Sequence, residues 1–326
     1  MRPFELVVPR SLAEASSMAG KGVVYKAAGI DLLDRLKERV EAPEKIVNLL
    51  GFRAELARIE RSGSTVRIGA LATLTQVAEA EVLRGGGFGA LLESAGEAAT
   101  PQVRNRATVG GNLLQQNRCW YFRQAAFGCA HNGRGPGCLA QEGQNRYHAI
   151  LGQDDCMRVH PSNVAPALQA LGASVIVQGG KGERTLPLAE LYPKAPDARG
   201  AEHTLQPDEI LTAIVVPVPG ADVRSAYRES REKLSFDWAT TAAAVRLAVA
   251  DGKVRECAIV LGAVAAIPWV AAEAAQSLIG KEPSRANFEA AAKLAFAGAR
   301  PLAQNAYKVP VGQATLADAL EAAARR

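Results

Sequence analysis

Apolar positions come in short runs whose spacing alternates between two periods. SLAEASSMA predicts a short amphipathic helix, and VVYKAAG a strand entering a tight turn. IDLLDRLKERV predicts the helix after that turn, and EKIVNLL a second strand. STVRIGALATLTQVAEA reads as a strand leading into a helix. FGALLESAGEAAT reads as a helix that must end before Pro101, because the residue before proline is driven out of the helical region. HPSNVAPALQALGASVIVQGG gives a helix and then a strand, and DEILTAIVVPVP a strand closed by prolines. Residues 225–269 predict two or three strands around an Ala-rich helix. VAAEAAQSLIG, RANFEAAAKLAFAGA and ATLADALEAAARR carry apolar residues at helical spacing.

This pattern divides the chain into three units: 1–55, 56–220 and 221–326. At 326 residues there is ample length to bury separate cores. Apolar residues make up 48% and charged residues 22%, an ordinary globular balance. The net charge of +5 is scattered, with no basic block, which argues against a nucleic-acid partner. No run of about 18 apolar residues predicts a membrane span. MRPFELVVPRSLAEASS lacks a signal peptide's apolar run. The expectation is a cytoplasmic protein, or one exported folded beside a signal-bearing partner. In a reducing compartment, clustered thiols point to metal or catalytic chemistry rather than disulfides.

Three features carry chemistry. The strand–turn–helix at 23–37 aims backbone N–H groups and a helix N-terminus at one spot, as an anion site does and as a plain βα connection also does. TVGGN, at 108–112, removes two adjacent Cβ atoms; a Gly-Gly turn allows close approach to a ligand and also serves hairpins. Cys119, Cys129, Cys138 and Cys156 are separated by nine, eight and seventeen residues, with no CxxC pair. Four thiolates converging from such a Gly-rich loop suit either a tetrahedral zinc or a [4Fe–4S] cluster. His131 reads as a solvated loop histidine, and His148 and His160 as structural. Trp120, Tyr121 and Phe122 read as cover for the segment, and Cys257 as a core thiol. No Ser/His/Asp or paired-carboxylate pattern stands out.

TPQVRNRATVGGNLLQ resembles the second flavin motif of the FAD-binding subunits of molybdenum hydroxylases, the xanthine dehydrogenase and CO dehydrogenase medium-subunit family. YKAAGIDLLDRLK, VRIGALATLTQVAE, HPSNVAPALQALGASVIV and the 224–280 region resemble the same family in the same order. The resemblance implies an α+β chain: a two-subdomain FAD-binding fold of the vanillyl-alcohol-oxidase/PCMH type, then a C-terminal domain of antiparallel strands and helices. It places the FAD pyrophosphate at Lys26, Ala27, Ala28, Gly29, Ile30, Asp31, Leu32 and Leu33. Thr108, Gly110, Gly111 and Asn112 form the facing wall, with Gln115 and Thr100 beside them. Asn163 stands where an Asp is common, and Lys233 belongs to a basic pair with Arg231. The first loop departs from the family's Ala-Gly-Gly-Thr by reading Ala27-Ala28-Gly29-Ile30, so one glycine and one hydroxyl are lost.

NLLQQNRCWYFR and CLAQEGQNRYHAILG resemble the cluster-bearing branch, the aldehyde oxidoreductase and 4-hydroxybenzoyl-CoA reductase FAD subunits. That branch implies a [4Fe–4S] insertion at about 117–157 held by Cys119, Cys129, Cys138 and Cys156. The implied function is an electron-transfer subunit of a heterotrimeric molybdenum hydroxylase. Electrons would come from a molybdenum-cofactor large subunit through a [2Fe–2S] small subunit, and leave through FAD to an external acceptor. The alternative is a scaffold subunit with weak FAD binding and a structural four-cysteine metal site.

Overall fold

The computed structural model describes residues 1–84, 87–153, 155–193, 200–233 and 236–325. The chain opens with three short parallel strands, β1 (Glu5–Val7), β2 (Val23–Lys26) and β3 (Lys45–Asn48), in the order β1-β3-β2. Parallel neighbours need crossovers, and helices Leu12–Ser17 and Ile30–Lys37 supply them. Val47 packs with Ala15 on one face of the sheet, and Ile46 with Leu32 and Leu36 on the other.

A second sheet is antiparallel. Its strands are β4 (Ile59–Ser62), β5 (Thr65–Gly69), β6 (Ser174–Gly179), β7 (Gly182–Pro187) and β8 (Ile210–Pro217), in the order β4-β5-β8-β6-β7. Val66, Ile68, Val175 and Ile214 pack with Leu74, Leu91 and Leu168 of helices Leu74–Glu79, Gly89–Glu97 and Val164–Ala170. Strand β7 escapes the hydrophobic pattern because five of its six residues are exposed.

The third sheet, β9 (Val223–Ser230), β10 (Thr241–Ala250), β11 (Lys253–Gly262) and β12 (Trp269–Val270), is an antiparallel meander. Here the sequence reading needs correction: the Ala-rich stretch is strand β10, not a helix. Ala243, Val245 and Leu247 face Phe288, Leu316 and Leu320 of helices Arg285–Ala295 and Lys308–Ala324. Ala242 and Ala244 face Ala90, Ala167 and Ala170 of the second unit's helices. A sheet pressed between two helix layers needs small side chains on both faces, and that packing overrides alanine's helix propensity.

Residues 117–157 tie the units together. Ile150 and Leu151 are buried in the third unit's core, and both N–H groups donate to the Val264 carbonyl, at 2.9 and 3.0 Å. Among the described residues, no helix is long and apolar enough to cross a membrane.

Candidate functional site

Helix Ile30–Lys37 begins at Gly29, whose φ of +84° lies in the left-handed region. A Cβ there would also sit 3.0 Å from Lys26 Cε and 3.2 Å from Leu33, so position 29 requires glycine. Ala28 is not among the positive-φ residues, so the glycine lost from this loop leaves no strain behind. No side chain caps the helix, whose first residues line a cavity of about 390 Å³. Lys26, Ala27, Ala28, Gly29, Ile30, Asp31 and Leu32 line that cavity. Burial, and then the nearby Arg106, push the Lys26 ammonium below its usual range.

The facing wall is TVGGN. It is the first turn of helix Val109–Leu113 rather than a Gly-Gly hairpin turn. Thr108 caps it, with Oγ1 accepting the Gly111 N–H at 3.1 Å. The two glycines serve different ends. A Cβ on Gly110 would sit 3.0 Å from the Cβ and carbonyl oxygen of Ala70, so its smallness lets the turn pack on strand β5's exit. Gly110 does not reach the cavity, whereas Gly111 does. Asn112 and Gln115 line the cavity as well, with Gln115 Nε2 donating to the Asn112 carbonyl at 3.0 Å. Asn163 lines it too, although its amide donates to Glu229 at 2.9 Å.

Four of the residues singled out in the sequence lie elsewhere. Leu33 packs into the first unit's core. Thr100 caps helix Pro101–Arg104 through the Val103 N–H at 3.2 Å, leaving Ala98, Ala99 and Val103 to face the cavity. Gly110 is buried against Ala70, and Lys233 is exposed. The sequence reading missed Phe236, Asp237 and Trp238, which the third unit contributes to the cavity. The available signal was SFDW, two aromatics inside a polar stretch; Phe236 adopts a φ of 64° and Trp238 is 50% exposed.

A second cavity, of about 470 Å³, adjoins the first and shares Asp34, Arg118, Asn163, Asp237 and Trp238 with it. Cys119, Trp120, His148 and His160 form part of its wall. Arg118 stands between the two, with its guanidinium 4.7 Å from the Trp238 ring centroid.

The cysteine segment is anchored at its start by charge. Asp31 pairs with Arg35, Arg118 and Arg123 at 3.0, 3.0 and 2.7 Å, and accepts the Gln116 N–H at 3.2 Å. Burial works to raise the Asp31 carboxyl, but the three guanidinium groups outweigh it and hold the group below the usual carboxylate range. Asp31 thus links the pyrophosphate-type loop to the cysteine segment. His131 also departs from expectation. Instead of a solvated loop histidine, it is a half-buried partner of Glu202, at 2.9 Å. Glu202 also accepts the Asn117 side-chain amide at 2.7 Å.

No disulfide joins the cysteines; Cys129 and Cys156 are buried, Cys119 and Cys138 half-buried. A hydrogen bond from Cys156 lowers the Cys138 thiol to about 6, and the same bond followed by burial raises Cys156. Burial pushes Cys119 up to about 12, with Cys129 and Cys156 adding to the rise. Cys119 lies 3.1 Å from His148 Nε2, and Cys138 accepts the Met157 N–H at 3.5 Å. The loop folds back tightly enough that a Cβ on Gly135 would sit 1.7 Å from the Gly128 carbonyl oxygen. Among the described residues, no three His, Cys, Asp or Glu side chains are gathered around a single-ion position.

Residues 2–219 match the family described as FAD binding domain in molybdopterin dehydrogenase, and residues 225–323 match the CO dehydrogenase flavoprotein C-terminal domain. The chain therefore belongs to the family of FAD-binding medium subunits of molybdenum hydroxylase-type dehydrogenases. It is 32% identical over 320 residues to the aldehyde oxidoreductase FAD-binding subunit PaoB of Escherichia coli, covering 97% of this chain and 96% of that one. It is 29% identical over 303 residues to the carbon monoxide dehydrogenase medium chain of Afipia carboxidovorans, covering 91% and 87%. The fold matches that chain type in a crystal structure of Cu,Mo-CO dehydrogenase, with a TM-score of 0.77 at 27% identity over 100% of both chains.

Proposed function

We propose that this chain is the electron-exit subunit of a heterotrimeric molybdenum hydroxylase. It receives electrons from a [2Fe–2S] partner subunit, itself fed by a molybdenum-cofactor large subunit, and delivers them through FAD to an external acceptor. The observation that carries this reading is the first cavity, where an uncapped helix N-terminus at Gly29 faces the Thr108–Gly111 turn. Orphan N–H groups at a helix start suit a pyrophosphate, and the bare Gly111 leaves room for it. Lys26–Leu32 would hold the phosphates, with Thr108, Gly111, Asn112 and Gln115 opposite, and Asn163 and Trp238 toward the second cavity. FAD, when bound, supplies the exchange between one- and two-electron chemistry; the chain's part is to bind and orient it. The weak-binding scaffold alternative drew on the glycine and hydroxyl lost from this loop, and Ala28's ordinary φ speaks against the first of these.

We also assign Cys119, Cys129, Cys138 and Cys156 to a [4Fe–4S] cluster. Cys138 and Cys156 share a hydrogen bond, Cys129 and Cys156 both act on the Cys119 thiol, and no disulfide joins them. Heat release of flavin from the purified complex tests the main assignment. One FAD per copy of this chain is expected, and a complex in which this subunit carries none would overturn it.

A further inference from the structure

His148 belongs neither to the flavin wall nor to the thiol set, yet its Nε2 lies 3.1 Å from Cys119 Sγ. The residue is 3% exposed, so water does not compete for that nitrogen. Trp120 holds the ring edge-on at 5.3 Å, and Tyr121 flanks it at 6.2 Å. The backbone is fixed from the third unit. The His148 carbonyl accepts Lys308 Nζ at 3.0 Å and Asn305 Nδ2 at 3.2 Å. Lys308 spans further, to the Ala263 carbonyl at 2.7 Å.

We propose that His148 donates a hydrogen bond from Nε2 to the Cys119 sulfur and thereby raises the reduction potential of the metal centre that Cys119 holds. The inference rests on the [4Fe–4S] assignment above. A metal-bound thiolate can only accept, so the ring nitrogen facing it must carry the proton. Hydrogen bonds to cluster sulfurs are among the determinants of potential. A donor favours the more negative, reduced state, and more strongly where burial lowers the local dielectric. His148 is a positioning and tuning residue, not a ligand. Lys308 and Asn305 hold it in place, so a domain remote from the thiols contributes to their electrochemistry.

The test is an EPR-monitored redox titration of the intact complex. His148→Phe should keep its iron and sulfide while the cluster's midpoint potential moves to a more negative value. His148→Gln, which restores an amide donor, should recover part of the shift. A full cluster at the wild-type potential in His148→Phe would overturn this inference alone. A wild-type complex without an iron–sulfur cluster on this chain would overturn the assignment beneath it, and the inference with it. Should His148→Phe fail to retain iron, proton ENDOR of the reduced wild-type cluster decides. An exchangeable proton coupled to the cluster and lost in D2O, together with a ¹⁵N coupling that appears on selective ¹⁵N-histidine labelling, is expected; the absence of the histidine coupling overturns the proposal.

Discussion

The wall of the first cavity and the cysteine segment are built by opposite means. The wall works by leaving side chains out: Gly29 supplies a left-handed φ, Gly111 supplies bare backbone, and the helix start supplies N–H groups. The cysteine segment works by adding them. Thiols, guanidinium groups and a half-buried Glu202–His131 pair hold a loop of little regular structure in one shape. The difference shows what each can tolerate. The wall accepts Ala28 and Ile30 because it depends on backbone conformation, which those residues leave intact. The segment depends on particular side-chain atoms, so it should tolerate almost no exchange among them.

That contrast is broken most sharply by Cys156→Ser. It should remove essentially all cluster iron while FAD content stays near one per chain, read by iron assay and flavin release on the same preparation. Loss of both together would mean the two regions are one cooperative unit. Gly29→Val is the reciprocal experiment. A β-branched residue at a φ of +84° is strained by roughly 1–2 kcal/mol or more. FAD affinity should therefore fall at least about tenfold while iron is retained.

Lys308 joins the regions and gives a pH signature. Burial lowers its ammonium to about 7. From there up to the ordinary lysine value, the unfolded chain binds a proton that the folded chain has released. Stability should therefore rise with pH across that window, by at most about 1.4 kcal/mol per pH unit. Urea midpoints of Lys308→Met should lack that rise; a profile matching wild type would remove Lys308 from the account. The smallest effect belongs to Thr108→Ala, which deletes the cap on the Gly111 N–H. It should cost about 1 kcal/mol of stability by thermal melting, with a modest loss of FAD affinity.

Much of this was legible from the residues. Strand β2, the helix Ile30–Lys37 and a turn at 108–112 were visible in spacing and small residues; the wall residues were drawn from the family resemblance, and most of them line one cavity. What stayed hidden depended on neighbours distant in the chain. The stretch 241–250 reads as helix because alanine favours helices, and only its burial between two helix layers makes it strand β10. Thr100 and Gly110 were assigned to the cavity by the family resemblance, whereas their partners, Val103 and Ala70, draw them into capping and packing. Trp238 and His148 were invisible as site residues because their significance comes from Arg118 and Cys119, which folding brings against them.

We propose that this one chain carries a flavin beside an iron–sulfur centre. The most direct measurement is the visible spectrum of the purified chain, combined with iron and acid-labile sulfide analysis. The account predicts flavin bands over a broad brown shoulder, with about four iron and four sulfide per flavin. A colourless protein, or a yellow one whose only metal is zinc, would contradict it.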